Sequence, residues 1–255
     1  MESIIRDFLE SRAASYNDRN FIATDPISIP HLFHKKEDIE IIGFLVATIA
    51  WGNRKAILRS GEKLVALLHN EPYEFVMNAS KTSIQSLQFV HRTFNAEDLR
   101  FFIRALRDIY SKYGGLEAVF KKEKSASERI AYFRQVFLET RHAKRSEKHL
   151  PNPLMGSSCK RINMFLRWMV RCDKRGVDFG LWRGISPASL MIPLDIHTGR
   201  VARLLGLLDR KQNDWKAVEE LTAALRTLDI ADPVKYDFAL FGSGVNGELD
   251  LELPR

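Results

Sequence analysis

The chain has 255 residues, enough for one large domain or two small lobes sharing a core, and its 45% hydrophobic and 28% charged content is ordinary for a folded protein and excludes a disordered one. Lysine plus arginine exceeds aspartate plus glutamate by 39 to 32, a net charge of +7 with a pI near 9.4, which admits a polyanionic partner without requiring one. Two cysteines, Cys159 and Cys172, cannot make a four-cysteine cluster or a zinc ribbon; no basic-then-apolar leader opens the chain; and the longest apolar run, IIGFLVATIAW, is about half of the roughly 20 residues a bilayer crossing needs, so a soluble, cytoplasmic, reduced protein without a membrane partner is expected.

Nearly every periodic segment is helical. Residues 2–14 carry Ile4, Ile5, Phe8 and Leu9 at helical spacing, and 38–51 is too long and too apolar for a typical strand, so it reads as a buried helix. Segment 54–68 aligns Ile57, Leu58, Leu64, Val65 and Leu68 on one face, with NEP as its stop. His31, His34 and the HRTF stretch at 91–94 show no ligand spacing. Asn95, with Asp98 three residues on, opens a helix that ends in Gly114-Gly115, and Ser125 with Glu128 forms a capping box for the next.

Segment 141–161 differs in composition. It holds Arg141, Lys144, Arg145, Lys148, Lys160 and Arg161 against one acid, Glu147, together with Pro151, Pro153 and Gly156. Charge alone makes this a solvated basic loop; a phosphate-facing hairpin is the sharper reading. A helix beginning at Lys160 puts Ile162, Phe165, Leu166, Met169 and Val170 in an apolar stripe, and Lys160, Asn163, Arg167 and Arg171 in a polar, basic ridge on another face. Free N–H groups at the start of such a helix favour anions, so turn and ridge together can hold a nucleic-acid phosphate. Cys159 stands in a basic setting that lowers a thiol pKa, and reads as a reduced bystander.

Further on, Asp195 in IPLDIHTGRVARLLGLL precedes a helix with Val201, Leu204, Leu205 and Leu208 inward; capping alone explains an aspartate there. His197 reads as a hydrogen-bonded structural histidine, since nothing nearby completes a metal set, and no metal is expected. DWKAVEELTAALRTL and DPVKYDFALFG give two last helices; Trp168 and Trp215 read as packing residues; VNGE has no strand partner. With no sustained period-2 alternation and no internal repeat, the class is all-α.

Two of these stretches together resemble the helix-hairpin-helix DNA glycosylase superfamily, which includes endonuclease III and the 8-oxoguanine glycosylases. Its hairpin, L-P-G-V-G-x-K-x-A-N, is matched by LMGSSCKRIN, with Gly156 on the first glycine, Lys160 on the family's catalytic lysine and Asn163 on the asparagine. Its V-D-T-H-x-x-R-V is matched by LDIHTGRV, with Asp195 on the catalytic aspartate and His197, Arg200 and Val201 in register. EIIGFLVATIAWGNRKAI resembles the early buried helix that delivers a damage-reading loop, and DFALFGSG the last core helix. The departures are Ser158 in place of the second glycine and a spacing from Lys160 to Asp195 longer than in endonuclease III. The insertion CDKRGVDFGLWRGISPASLM resembles the longer linker of the archaeal 8-oxoguanine glycosylase branch. The cysteines of an iron–sulfur cluster are absent, so no cofactor is expected. The whole chain, with AWGNRK and CKRINMFLRWMVR, is most similar to an uncharacterised bacterial family placed beside these glycosylases, of the domain-of-unknown-function 2400 type.

The resemblance implies a two-lobed helical fold forming a single domain over 1–255, with the hairpin at about 149–171. It implies a monomeric DNA repair N-glycosylase with AP lyase activity, removing an oxidised purine from damaged double-stranded DNA. Lys160, neutral when it attacks the sugar C1′, forms a Schiff base; a helix N-terminus, partial desolvation and Arg161 all disfavour its protonated form, while Asp195 stays ionised and stabilises positive charge on the sugar. Gly156, Ser158, Arg161, Asn163, Arg167, Lys144 and Lys148 face the DNA backbone, and Asn53 or Arg54 reaches the opposite base or phosphates. An extruded base needs stacking partners, for which Trp51, Phe179 and Trp182 are candidates, although a tryptophan ending an apolar helix also fits a core. Lys160 as a plain phosphate anchor, a non-catalytic helix-hairpin-helix protein binding DNA or RNA, and an assembly protein that has lost the nucleic acid are the alternatives.

Overall fold

A computed structural model describes residues 2–247, and its described part is mostly helical. The chain opens with α1 (Glu2–Tyr16) and α2 (Arg19–Thr24), passes through short 3-10 turns, and continues as α3 (Lys36–Ile49), α4 (Arg54–Leu67), α5 (Pro72–Asn78) and α6 (Lys81–Ser86). Two-residue strands β1 (Val90–His91) and β2 (Phe94–Asn95) pair antiparallel, so the HRTF stretch is a small hairpin that the periodicity did not reveal. Then come α7 (Ala96–Tyr113), α8 (Leu116–Phe120), α9 (Ala126–Leu138), a 3-10 helix at Lys144–His149, α10 (Lys160–Val170), α11 (Ile196–Leu204), α12 (Trp215–Leu228) and α13 (Asp237–Asn246). The glutamate of VNGE lies outside the described residues; Gly247 closes α13 in the left-handed region.

The chain divides into two compact units: Met1–Phe21 with Pro153–Arg255, here the terminal unit, and Ile22–Asn152, the middle unit. In the middle unit α3 is buried from Ile39 to Ile49, including the one charged residue of that span, Glu40, which accepts from the Tyr110 hydroxyl at 2.5 Å. Phe44 meets Phe102, Phe133 and Phe137 at ring-centroid distances of 5.7, 5.4 and 5.4 Å, which fixes α3 against α7 and α9. Asn95 and Asp98 close a reciprocal capping box on α7, and Gly114 ends it with φ 80°. Ser125 caps α9, although Glu128 takes the Ser125 hydroxyl rather than the backbone N–H of a full box.

In the terminal unit α13 packs on α1 and α11. The approach to α1 is close enough that a Cβ at Gly242 would stand 2.4 Å from the Tyr16 ring, so only glycine fits. The apolar stripe of α10 is buried throughout, with Trp168 fully enclosed as a packing residue. On α1 only Leu9 and Ala13 are buried apolar residues, and Ile4 is exposed; on α11 Leu204 points outward rather than inward.

Candidate active site

The hairpin before α10 is built by two left-handed residues. Gly156, at φ 82°, receives no Cβ penalty there; its N–H donates to the Pro153 carbonyl at 2.9 Å and its own carbonyl accepts from the Trp215 N–H at 3.1 Å. The second is Cys159, at φ 51°, the N-cap of α10. Ser158 therefore does not carry the left-handed turn, and its lack of glycine freedom does not open the hairpin; the strain of a non-glycine residue falls on Cys159 instead, about 1–2 kcal/mol. Cys159 is buried, its Sγ donating to the Ser157 carbonyl at 3.3 Å, and burial pushes its thiol up to about 12. The lowered thiol pKa expected from the basic neighbours is thus reversed, because desolvation outweighs Arg161. Neither cysteine is in a disulfide.

Lys160 is the first residue of α10 and Asp195 the N-cap of α11. The structure brings them together: Lys160 Nζ lies 3.3 Å from Asp195 Oδ2, while Asp195 Oδ1 accepts from the Thr198 N–H at 2.9 Å. Capping and pairing are therefore not alternatives, since one oxygen does each. Asn213 Nδ2 donates to the Asp195 carbonyl at 3.1 Å and fixes the turn from behind. Both partners keep some access to solvent, with side chains 31% and 15% exposed. The expectation for Lys160 weighed burial, the helix start and Arg161, and did not include the Asp195 carboxylate that the structure places opposite its ammonium. Arg161 is half-buried, and burial lowers its guanidinium to about 10. Beside the pair, Ile196, Arg200, Arg203, Leu204, Lys211 and Asn213 line a shallow cleft of about 620 Å³.

The basic ridge of α10 is not a surface. Asn163, Arg167 and Arg171 are all buried. Asn163 Nδ2 donates back to the Ser158 carbonyl at 3.2 Å. Arg167 pairs with Asp178 (3.2 Å) and with Asp237. Arg171 pairs with Asp173 (2.8 Å), Asp178 (3.1 Å) and Asp232 (2.9 Å). Asn163 and Arg167 are thereby corrected from DNA contacts to interior groups. Helical spacing aligned them properly, but carboxylates from three other segments cover that face. Trp182 is likewise corrected: it is 1% exposed and packs edge-on against Phe165, so it is core and not a pocket wall. Phe179 is half-buried, its N–H donating to the Trp168 carbonyl at 2.8 Å. His197 has the backbone partner expected of it, with Nδ1 3.3 Å from the Gly244 carbonyl, yet it is exposed.

The other predicted residues belong to the middle unit. Trp51 is half-buried, stacked on His149 at 6.1 Å and edge-on to His91 at 5.3 Å. Asn53 caps α4 by accepting from the Ala56 N–H at 3.2 Å, and Arg54 is the first residue of that helix. Of the basic segment, Arg145 is committed to Asp98, while Lys144 and Lys148 are exposed, Lys144 lying 3.1 Å from Glu147. Sequence reasoning missed Arg92. It is exposed, turns the hairpin at φ 54°, and lies across Gly52 so closely that a Cβ there would meet its Nη1 at 2.5 Å. A charged residue between two short apolar-led pairs was its only signal. It also missed Asp237, hidden as the polar start of an apolar helix; burial raises Asp237 to about 6, with Asp195 adding to the rise and Arg167 and Lys160 opposing it.

Among the described residues no group of three or more His, Cys, Asp or Glu is placed to hold a metal ion, and no helix is long and apolar enough to cross a membrane. No curated protein and no solved structure matches the chain. Residues 25–246 do match the model of a family described as a protein of unknown function (DUF2400), a span covering most of the sequence, and the chain belongs to that family.

Proposed function

We propose that this protein is a DNA N-glycosylase with AP lyase activity, of the helix-hairpin-helix kind, acting on an oxidised purine in duplex DNA. The observation that carries the reading is the approach of Lys160 Nζ to Asp195 Oδ2 at 3.3 Å, with the amine at the start of one helix and the carboxylate at the start of another. This is a nucleophile beside a charge stabiliser, in the order and motif context in which those glycosylases carry them. The amine attacks C1′; the bond from C1′ to the base breaks and its electron pair leaves with the base, which takes a proton; the sugar ring then opens to a Schiff base. Asp195, ionised, stabilises the positive charge that grows on the sugar. The left-handed turn at Gly156 and Cys159 presents the backbone at the start of α10 to a phosphate. In the middle unit, Trp51 offers a ring for stacking, and Arg54, Arg92, Lys144 and Lys148 offer positive charge to a nucleic-acid backbone.

A second reading has one observation in its favour. An ammonium already held by a carboxylate suits a phosphate anchor as well as a nucleophile, and a non-catalytic nucleic-acid-binding protein would carry the same pair. Borohydride trapping on duplexes bearing different lesions separates the two. The wild type is expected to form a covalent adduct with at least one lesion duplex, and Lys160→Gln none. Salt-dependent binding without an adduct selects the binding protein, and no binding of either kind removes both readings.

A further inference from the structure

The cleft beside the Lys160–Asp195 pair has a lining that the proposed chemistry does not use. Ile196 and Leu204 stand 79% and 55% exposed along α11. One such side chain is unremarkable, but two in a single cleft mark a surface that something covers. The other lining residues are Arg200, Arg203, Lys211 and Asn213, so the cleft has three cations and no carboxylate. Arg203 is engaged with the Arg210 and Lys211 carbonyls and with Asn213 Oδ1, which ties the loop before α12 to α11 and fixes the cleft's shape. Arg200 and Lys211 are exposed, and neither has a carboxylate partner among the described residues. A lining that is both aliphatic and cationic fits an occupant that is both aliphatic and anionic. A nucleic-acid strand supplies the charge without the aliphatic surface.

The chain's own sequence contains such a segment. Beyond Gly247 it runs Glu248, Leu249, Asp250, Leu251, Glu252, Leu253, outside the described residues, with three carboxylates alternating with three leucines. The described end of α13 brings the chain to the cleft. The Gly244 carbonyl lies 3.3 Å from His197 Nδ1, a Cβ on Gly244 would stand 3.0 Å from His197 Cβ, and His197 adjoins Ile196. Six residues can span up to ~20 Å, against ~12 Å along α11 from Ile196 to Leu204. We propose that the α11 cleft is the docking surface of segment 248–253. Leucine contact with Ile196 and Leu204 holds it, and its carboxylates complement Arg200 and Lys211. Because cleft and segment belong to one chain, a contact too weak to retain a free peptide suffices. A docked segment places negative charge beside Lys160 and Asp195 and occupies cations that a nucleic-acid backbone would use. That competition rests on the function proposed above; the docking does not.

The test uses the full chain with ¹³C-labelled isoleucine methyl groups and an uncharged, soluble gadolinium chelate, which broadens the resonances that solvent reaches. Ile196 and Ile230 are nearly equally exposed among the described residues, at 79% and 77%, so Ile230 is the internal reference. Each resonance is identified by its loss on replacement by valine. In the wild type, broadening at Ile196 is expected to be several-fold weaker than at Ile230. In the variant carrying Leu249→Ser, Leu251→Ser and Leu253→Ser it should rise to the level of Ile230. Equal broadening of the two in the wild type overturns the proposal and needs no variant. Protection that survives the triple substitution gives the cleft to another occupant, and protection that fades on dilution gives it to a second copy; either overturns the proposal. The second arm is a titration with undamaged duplex, which the serine variant is expected to bind roughly tenfold more tightly than the wild type. A protected Ile196 with equal duplex affinities keeps the docking and removes the competition. A protected Ile196 in a protein that binds no duplex keeps the docking and removes the function proposed above.

Discussion

Asp98 and Asp195 both stand at the start of a helix, the first as the third residue of α7, the second as the N-cap of α11. Their surroundings are opposite. Asp98 has no exposed side-chain surface; it accepts from the Asn95 N–H at 2.9 Å, from Arg145 Nη1 at 2.7 and 2.8 Å and from Ser146 Oγ at 2.6 Å, with His149 Nε2 3.2 Å away. Asp195 has one backbone donor and one ammonium, and keeps contact with solvent. A carboxylate whose lone pairs are all taken by its own chain has nothing left to offer a ligand, and serves the frame. A carboxylate with half its capacity engaged beside an amine is where chemistry has room.

Removing the saturated carboxylate should have the largest effect. Asp98→Ala removes the buried carboxylate that faces Arg145, Ser146 and His149, although Arg145 keeps Asn95 Oδ1 and the Thr93 carbonyl, and is expected to cost about 3 kcal/mol in urea unfolding. Against burial, which alone would raise it, His149, Ser146, the Asn95 N–H and Arg145 hold Asp98 well below the usual carboxylate range. A depressed folded pKa gives stability that is present above the unfolded value of about 3.9 and is lost as pH falls from there. The wild-type urea midpoint should therefore drop more steeply between about pH 4 and pH 2 than that of Asp98→Asn; parallel curves would show that Asp98 is not the frame charge described here.

Asp195→Asn should change stability by less than about 1 kcal/mol, because asparagine caps a helix nearly as well, yet remove most trapping of lesion DNA. A loss of stability comparable to that of Asp98→Ala would erase the contrast between the two aspartates. Smallest of all, Lys144→Ala with Lys148→Ala should leave stability within about 0.5 kcal/mol. If these lysines meet a duplex, the log–log salt slope of binding should flatten by about 0.9 for each phosphate that is no longer neutralised. An unchanged slope takes the DNA off this part of the middle unit.

What the sequence revealed follows from how local each signal is. Asn95, Ser125 and Asp195 announce their helices within three or four residues, and the structure has each as a cap. Lys160 and Asp195 were legible as helix starts because each heads a helix whose apolar stripe fixes where it begins, whereas their reading as a pair came from the motif resemblance alone. Burial of the α10 ridge was not, because Asp232 and Asp237 lie more than sixty residues beyond Arg167, and helical spacing says which residues share a face but not what covers it. The Asp98 site failed in the same way: Asn95 showed in the pattern, whereas Arg145, Ser146 and His149 arrive from some fifty residues on. Cys159 gave no local signal, since a cysteine is an uncommon choice for the left-handed region.

The close packing of Tyr16 on Gly242 has a consequence for how the molecule is made. Of the described helices α1 leaves the ribosome first, and its partner α13 is the last to be synthesised. The middle unit has all of its residues once Asn152 is joined, and can fold while α10 to α13 are still being added. Until α13 is made, Leu9 and Ala13 of α1 lack the packing that buries them in the folded unit. The Lys160–Asp195 pair, lying in the late-completed unit, is among the last features of the protein to form.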